Sequence, residues 1–145
     1  MTPYTKRDEQ NALTILQMAK RYLEGGWARY RWTTAVAPEC LGAGYIRPGE
    51  CSVCIEGALN LAAYCGNYEK KGQPKTPFYT RKDVRLALER LALFIGKKPE
   101  TQDTISYKKL GFALNQYNDH PASTKTGMVS LINRAIDSLT QEEED

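Results

Sequence analysis

A chain of 145 residues, 41% hydrophobic and 26% charged, has the composition of one ordinary globular domain. The mix excludes a disordered chain, a collagen, a coiled-coil rod and a membrane protein, and the length excludes a doubly wound dinucleotide enzyme with a second domain. A domain of this size buries roughly two thirds of the surface its unfolded chain exposes, so it needs neither metal nor disulfide to fold.

The formal charge of +3 is unevenly spread. Glu142, Glu143, Glu144 and Asp145 form an acidic tail; without it the remaining residues 1–141, read as the single domain, carry +7, with 20 basic residues against 13 acidic. Negative charge at a helix C-terminus opposes the macrodipole, so this tail is expected to fray. The first nine residues are polar and lack the apolar run of a signal peptide, and no later stretch is apolar for long enough to span a bilayer. These features predict a cytoplasmic protein with reduced thiols and no membrane partner.

In chain order, four segments repeat the apolar spacing i, i+3, i+4, i+7, i+11, which marks a helix with one buried stripe. The first carries Ala12, Ile15, Leu16, Ala19 and Leu23 and is closed by Gly25-Gly26. Trp27-Ala28-Arg29-Tyr30-Arg31-Trp32 follows, holding both tryptophans of the chain. Rings and guanidiniums in this density can sandwich a flat ligand or grip phosphate; alternatively the tryptophans close the core and the arginines snorkel to water. The stretch from Thr33 to Ser52 has no clear period and reads as a long irregular loop, with a short hairpin around Leu41 to Ile46 as the alternative. Such a loop is a candidate lid.

The four cysteines fall as C-x10-C-x2-C-x10-C: Cys40, Cys51, Cys54 and Cys65. Four thiolates suit tetrahedral zinc, but that pattern normally has two close pairs. Cys54 and Cys65 also lie on the stripe of the second helix, with Gly57, Ala58 and Leu61, where they act as small hydrophobes. Structural thiols are therefore the preferred reading, and no cofactor or metal is expected. Gly66 closes this helix, and Gln73-Pro74-Lys75-Thr76-Pro77 reads as a loop.

Basic residues concentrate at Lys70, Lys71, Lys75, Arg81, Lys82, Arg85, Arg90, Lys97 and Lys98, opposed by Glu69, Asp83 and Glu89. This stretch is either a solvated helix face or a surface that draws polyanions, including DNA or RNA. Thr80 and Asp83 approximate a capping box for the third helix, whose stripe is Val84, Ala87, Leu88, Leu91 and Ile95 and whose stop is Gly96. Tyr107, Leu110, Leu114 and Tyr117 mark a fifth, weaker helix. Asn118-Asp119-His120-Pro121 contains the sole histidine, but adjacent residues seldom point the same way, so a turn is favoured over an acid–base pair. Ser123 or Thr124 caps the last helix, which buries Met128, Leu131, Ile132, Ala135 and Leu139.

Gly26-Trp27, then Cys54-Ile55-Glu56-Gly57-Ala58-Leu59 with Ala62, then Asn118-Asp119, Thr124, Val129 and Arg134-Ala135-Ile136 form a further pattern. It resembles an uncharacterised family of small helical domains from phages and actinobacteria. The chain carries Glu56 where that pattern has leucine and Gly127 where it has glutamate. The resemblance implies an α fold, a phage or mobile-element origin, and structural roles for Gly57 and Ala58 that let another helix approach closely.

The reading is an all-α single compact domain of four or five helices. The expected role is a non-catalytic binding module in the host cytosol, engaging a host protein or an anionic small ligand such as a nucleotide. Trp27, Arg29, Tyr30, Arg31, Trp32, Arg81, Arg85, Asn118 and Asp119 are the candidate contacts. A nucleic-acid protein using Lys70–Lys98 and a small zinc domain using the four cysteines are the alternatives.

Overall fold

The computed structural model describes residues 3–29, 44–45, 47–50, 52–64, 67–70, 73–74 and 79–144. Five helices carry the fold: α1 (Lys6–Gly25), α2 (Ile55–Ala63), α3 (Lys82–Leu93), α4 (Thr104–Asp119) and α5 (Lys125–Glu144). Three short strands, β1 (Gly44–Tyr45), β2 (Asn67–Lys70) and β3 (Gln73–Pro74), form an antiparallel sheet in the order β1-β2-β3. The architecture is thus helical, as the stripes predict. The strand at 44–45 pairs with β2, Gly44 opposite Tyr68 and Tyr45 opposite Asn67; the rest of the short hairpin expected around Leu41 to Ile46 lies outside the described residues. Gln73 and Pro74, read as loop, belong to β3.

The helices start and stop for identifiable reasons. Thr5 caps α1 through a capping box: its hydroxyl accepts from the Asp8 N–H at 3.1 Å, and Asp8 accepts from the Thr5 N–H at 2.9 Å. Asp103 caps α4 by accepting from Ser106 N–H at 2.8 Å, and the same bond holds the Asp103 carboxyl below its usual range. Thr124 caps α5 by accepting from Gly127 N–H at 3.0 Å. The capping box expected from Thr80 and Asp83 does not form. Arg81 occupies the cap position of α3, and the Asp83 carboxylate is taken by the Arg81 guanidinium at 2.7 Å and by Val84 N–H at 2.8 Å.

Of the expected glycine stops among the described residues, Gly96 alone adopts the left-handed conformation, with φ 75°. There the Lys97 N–H reaches the Ala92 carbonyl and the Gly96 N–H the Leu93 carbonyl, a Schellman closure. Gly26 is extended, at φ 168°, and Gly66 lies outside the described residues. Gly25 is required for a different reason. A Cβ there would sit 2.5 Å from the Gly49 nitrogen, so the end of α1 touches the backbone of the Arg47–Glu50 turn. Pro48 and Gly49, the latter at φ 92°, form the corners of that turn. At the far end of the chain, α5 runs through Glu144, into the acidic residues.

The stripes of α1, α3 and α5 enter one core, together with Tyr22; of the residues expected there, Ile95 is only half-buried and Cys65 lies outside the described residues. Each large aliphatic side chain in it contributes about 1.5–3 kcal/mol of burial. α1 packs on α2, α3 and α5, while α2 also meets α4 and β3. Every residue of α2 from Ile55 to Ala63 is buried. The inner stripe of α4 is Tyr107, Leu110, Gly111, Leu114 and Asn118; Tyr117, expected inside, is 43% exposed because i+10 falls off that stripe. No helix of the described residues is long and apolar enough to cross a membrane.

Candidate functional site

Where α1 ends, the chain pairs with the start of α2. The Ala28 N–H donates to the Val53 carbonyl and the Val53 N–H to the Gly26 carbonyl, both at 2.9 Å, so the two ends of the long loop are clamped together. The Thr33–Ser52 stretch itself falls mostly outside the described residues, as do Tyr30, Arg31, Trp32, Cys40 and Cys51.

Asn118, at the C-terminal end of α4, fastens this junction. Its Oδ1 accepts from Trp27 Nε1 at 2.8 Å and from the Ile55 N–H at 2.9 Å. Its Nδ2 donates to the Ala28 carbonyl and to Asp119 Oδ1, each at 3.0 Å. The side chain is wholly buried, and its two donors and two acceptor positions are all engaged. Arg29 stacks over the Trp27 ring, 4.9 Å from guanidinium carbon to centroid, and donates to the carbonyls of Pro121 and Ser123. The structure thus brings together Trp27, Arg29, Asn118 and Asp119 from the predicted set. They form a polar rivet between α1, α2 and α4.

The other two predicted arginines lie elsewhere. Arg81 pairs with Asp83, donates to the Ala63 carbonyl at 2.7 Å and stacks on Tyr64; its pKa is raised chiefly by the hydrogen bond to Asp83. Arg85 donates to the carbonyls of Tyr79 and Gln102 and to the Thr104 hydroxyl, with its guanidinium 4.7 Å from the Tyr107 ring. Both guanidiniums hold the α2–α3–α4 framework. His120 is exposed, and its Nδ1 accepts from the Ala122 N–H at 3.0 Å, which makes it part of a turn.

A second polar cluster escaped the sequence reading. Glu56, in the first turn of α2, is 3% exposed. Tyr79 donates its hydroxyl to Oε1 at 2.8 Å, and Asn115 Nδ2 donates to Oε2 at 3.0 Å. Burial pushes the Glu56 carboxyl up to about 7, and the Tyr79 hydrogen bond offsets part of that rise. The same burial, with the adjacent carboxylate, raises the Tyr79 phenol. Space for the cluster comes from Gly111, since a Cβ there would lie 2.6 Å from the Tyr79 hydroxyl and 2.8 Å from Glu56 Oε2. Asn115 also accepts from the Cys54 thiol at 3.4 Å, and the Cys54 sulfur accepts from the Gly57 N–H at 3.3 Å. Cys54 is therefore a buried helix cap, with its thiol pushed up to about 12 by burial. Cys40, Cys51 and the Cys65 side chain lie outside the described residues, and no group of three or more His, Cys, Asp or Glu placed for a metal occurs among those described.

One turn beyond Glu56 on the same face, Asn60 is 1% exposed, and neither its Oδ1 nor its Nδ2 has a hydrogen-bond partner among the described residues. The signal for both residues was present in the sequence, as a carboxylate and an amide at i and i+4 within Ile55–Ala63, an otherwise apolar run.

α4 also presents a second stripe. Ile105, Lys108, Lys109, Phe112 and Gln116 repeat the i, i+3, i+4, i+7, i+11 spacing on the opposite side from Tyr107 and Leu114, and all five are exposed, Ile105 at 66% and Phe112 at 63%.

Fold and site define a small helical domain with two buried polar clusters at α2 and an uncovered apolar–basic face on α4. A family model described as a family of unknown function, DUF6197, matches residues 7–138, and the chain belongs to that family. Comparison with curated proteins and with solved structures gives no match.

Proposed function

We propose that this chain is a non-catalytic binding module, a small accessory protein of a phage or mobile element that engages a host protein in the host cytosol. The observation that carries the reading is the outer stripe of α4, where Ile105 and Phe112 stay in water two turns apart on a helix whose other side is fully packed. Single exposed apolar residues are ordinary, but two aligned on one helical face match the anchors of helix recognition. The origin rests on the sequence pattern that includes Cys54, Gly57, Ala58, Asn118 and Thr124. A host protein fits better than an anionic small ligand. The guanidiniums of Arg29, Arg81 and Arg85 are spent on internal partners, and the buried cluster of Glu56, Tyr79 and Asn115 offers an anion no cation.

The test is quantitative mass spectrometry on material retained by the tagged full chain in its own host, compared with an I105S/F112S variant of unchanged thermal stability. A host protein held by the wild type and lost from the variant is the expected result. Equal retention by both overturns the reading. So does stoichiometric zinc on the four cysteines, or nucleic acid held through Lys70–Lys98.

A further inference from the structure

We propose that the outer face of α4 receives an acidic amphipathic helix of its partner; this rests on the binding-module reading and names the chemistry of what is bound. The face has a definite pattern. Ile105 and Phe112 are separated by two helical turns, about 10 Å along the axis, with Lys108 and Lys109 between them and Gln116 beyond. α4 carries no acidic residue before Asp119, and Lys108 and Lys109 form no ion pair among the described residues. Their aliphatic stems extend the apolar surface while the charged heads reach outward. An incoming helix with apolar residues at i, i+3, i+4 and i+7 can seat them around Ile105 and Phe112, and carboxylates on its flanks then meet Lys108 and Lys109.

Charge selects among occupants. A second copy of this chain docked symmetrically through α4 would bring Lys108 and Lys109 against themselves, because a two-fold interface opposes each patch to its own image. Like charges face to face are unfavourable, and opposite charges steer association and fix the register. An acidic segment removes the repulsion and gains the steering. The acidic C-terminal residues of another copy carry the right sign but would make a head-to-tail contact, which has a distinct signature in solution.

The probe is a labelled helical peptide with leucine at i, i+3, i+4 and i+7 and glutamate on both flanks, set against a twin with lysine replacing glutamate. Anisotropy with the full chain should show the glutamate peptide binding more tightly, with the difference shrinking as salt rises. F112A should weaken it by about tenfold. K108E/K109E should reverse the preference towards the lysine peptide, a gain that a misfolded variant cannot produce. An unchanged preference in K108E/K109E, or full binding by F112A, overturns the proposal. Sedimentation showing concentration-dependent self-association that F112A abolishes also overturns it, in favour of a second copy. A host protein whose capture depends on Phe112 but not on the sign at positions 108 and 109 leaves the binding-module reading standing and removes this one.

Discussion

Two buried asparagines in this molecule face opposite circumstances. Asn118 spends all its hydrogen-bonding capacity on Trp27, Ile55, Ala28 and Asp119, which draws the ends of three helices together. The side chain of Asn60, equally enclosed on α2, finds no partner among the described residues. Burial of an amide costs several kcal/mol unless partners compensate. The first residue therefore holds the fold together and the second is a burden on it, although neither burial nor residue type separates the two.

Substitutions can break or sharpen that contrast. N118A leaves the Trp27 indole N–H, the Ile55 N–H and the Ala28 carbonyl without their partner, and should lower stability by roughly 3–5 kcal/mol in urea unfolding. A loss below about 1 kcal/mol would show that water replaces the side chain and that the rivet is dispensable.

Glu56 adds a pH-dependent arm. Its carboxyl rises in the folded state from 4.5 to about 7, so the native protein holds a proton that the unfolded chain releases in that interval. The associated stability is complete below about pH 4.5 and is lost as pH climbs through about 7, roughly 3 kcal/mol in all. Urea midpoints of wild type minus E56Q, measured from about pH 4.5 to 8, should fall along that curve; a flat difference would mean that Glu56 is not desolvated.

A smaller effect is expected from G111A, whose methyl would push Tyr79 off Glu56. It should cost about 1–2 kcal/mol net of the helix propensity gained, and should lessen when combined with Y79F. The smallest change should have the opposite sign. N60L removes two unpaired buried polar atoms while keeping the branching and the number of heavy atoms of the side chain, and should leave stability unchanged or raise it by about 1 kcal/mol. A large loss would place Asn60 in the same class as Asn118 and end the contrast.

Much of the fold was legible because the helices bury one stripe each. Val84, Ala87, Leu88 and Leu91, or Met128, Leu131, Ile132, Ala135 and Leu139, announce their own inner face whatever they pack against. The sheet was not legible, because strands of two to four residues carry no measurable alternation and β1 finds its partner across the whole of α2. Trp27, Arg29 and Asn118 were named as candidates and do meet, but pattern could not show that their polar atoms are turned on one another. Glu56 was visible as a departure from a leucine and, with Asn60, as a polar pair in an apolar run. Its meaning depends on α2 being covered on every side, a property of tertiary packing. The outer stripe of α4 was not legible, because Ile105 and Phe112 lie off the one buried face that an apolar period marks.

That enclosure of α2 also sets where the molecule opens last. Peptide groups from Ala58 to Ala63 have no route to solvent that leaves their neighbours in place. Deuterium should replace their amide protons only through excursions close to complete unfolding, while the turn around Pro48 and Gly49 labels early. A nine-residue segment in the middle of the chain, too short to persist as an isolated helix, would then report the stability of the whole domain.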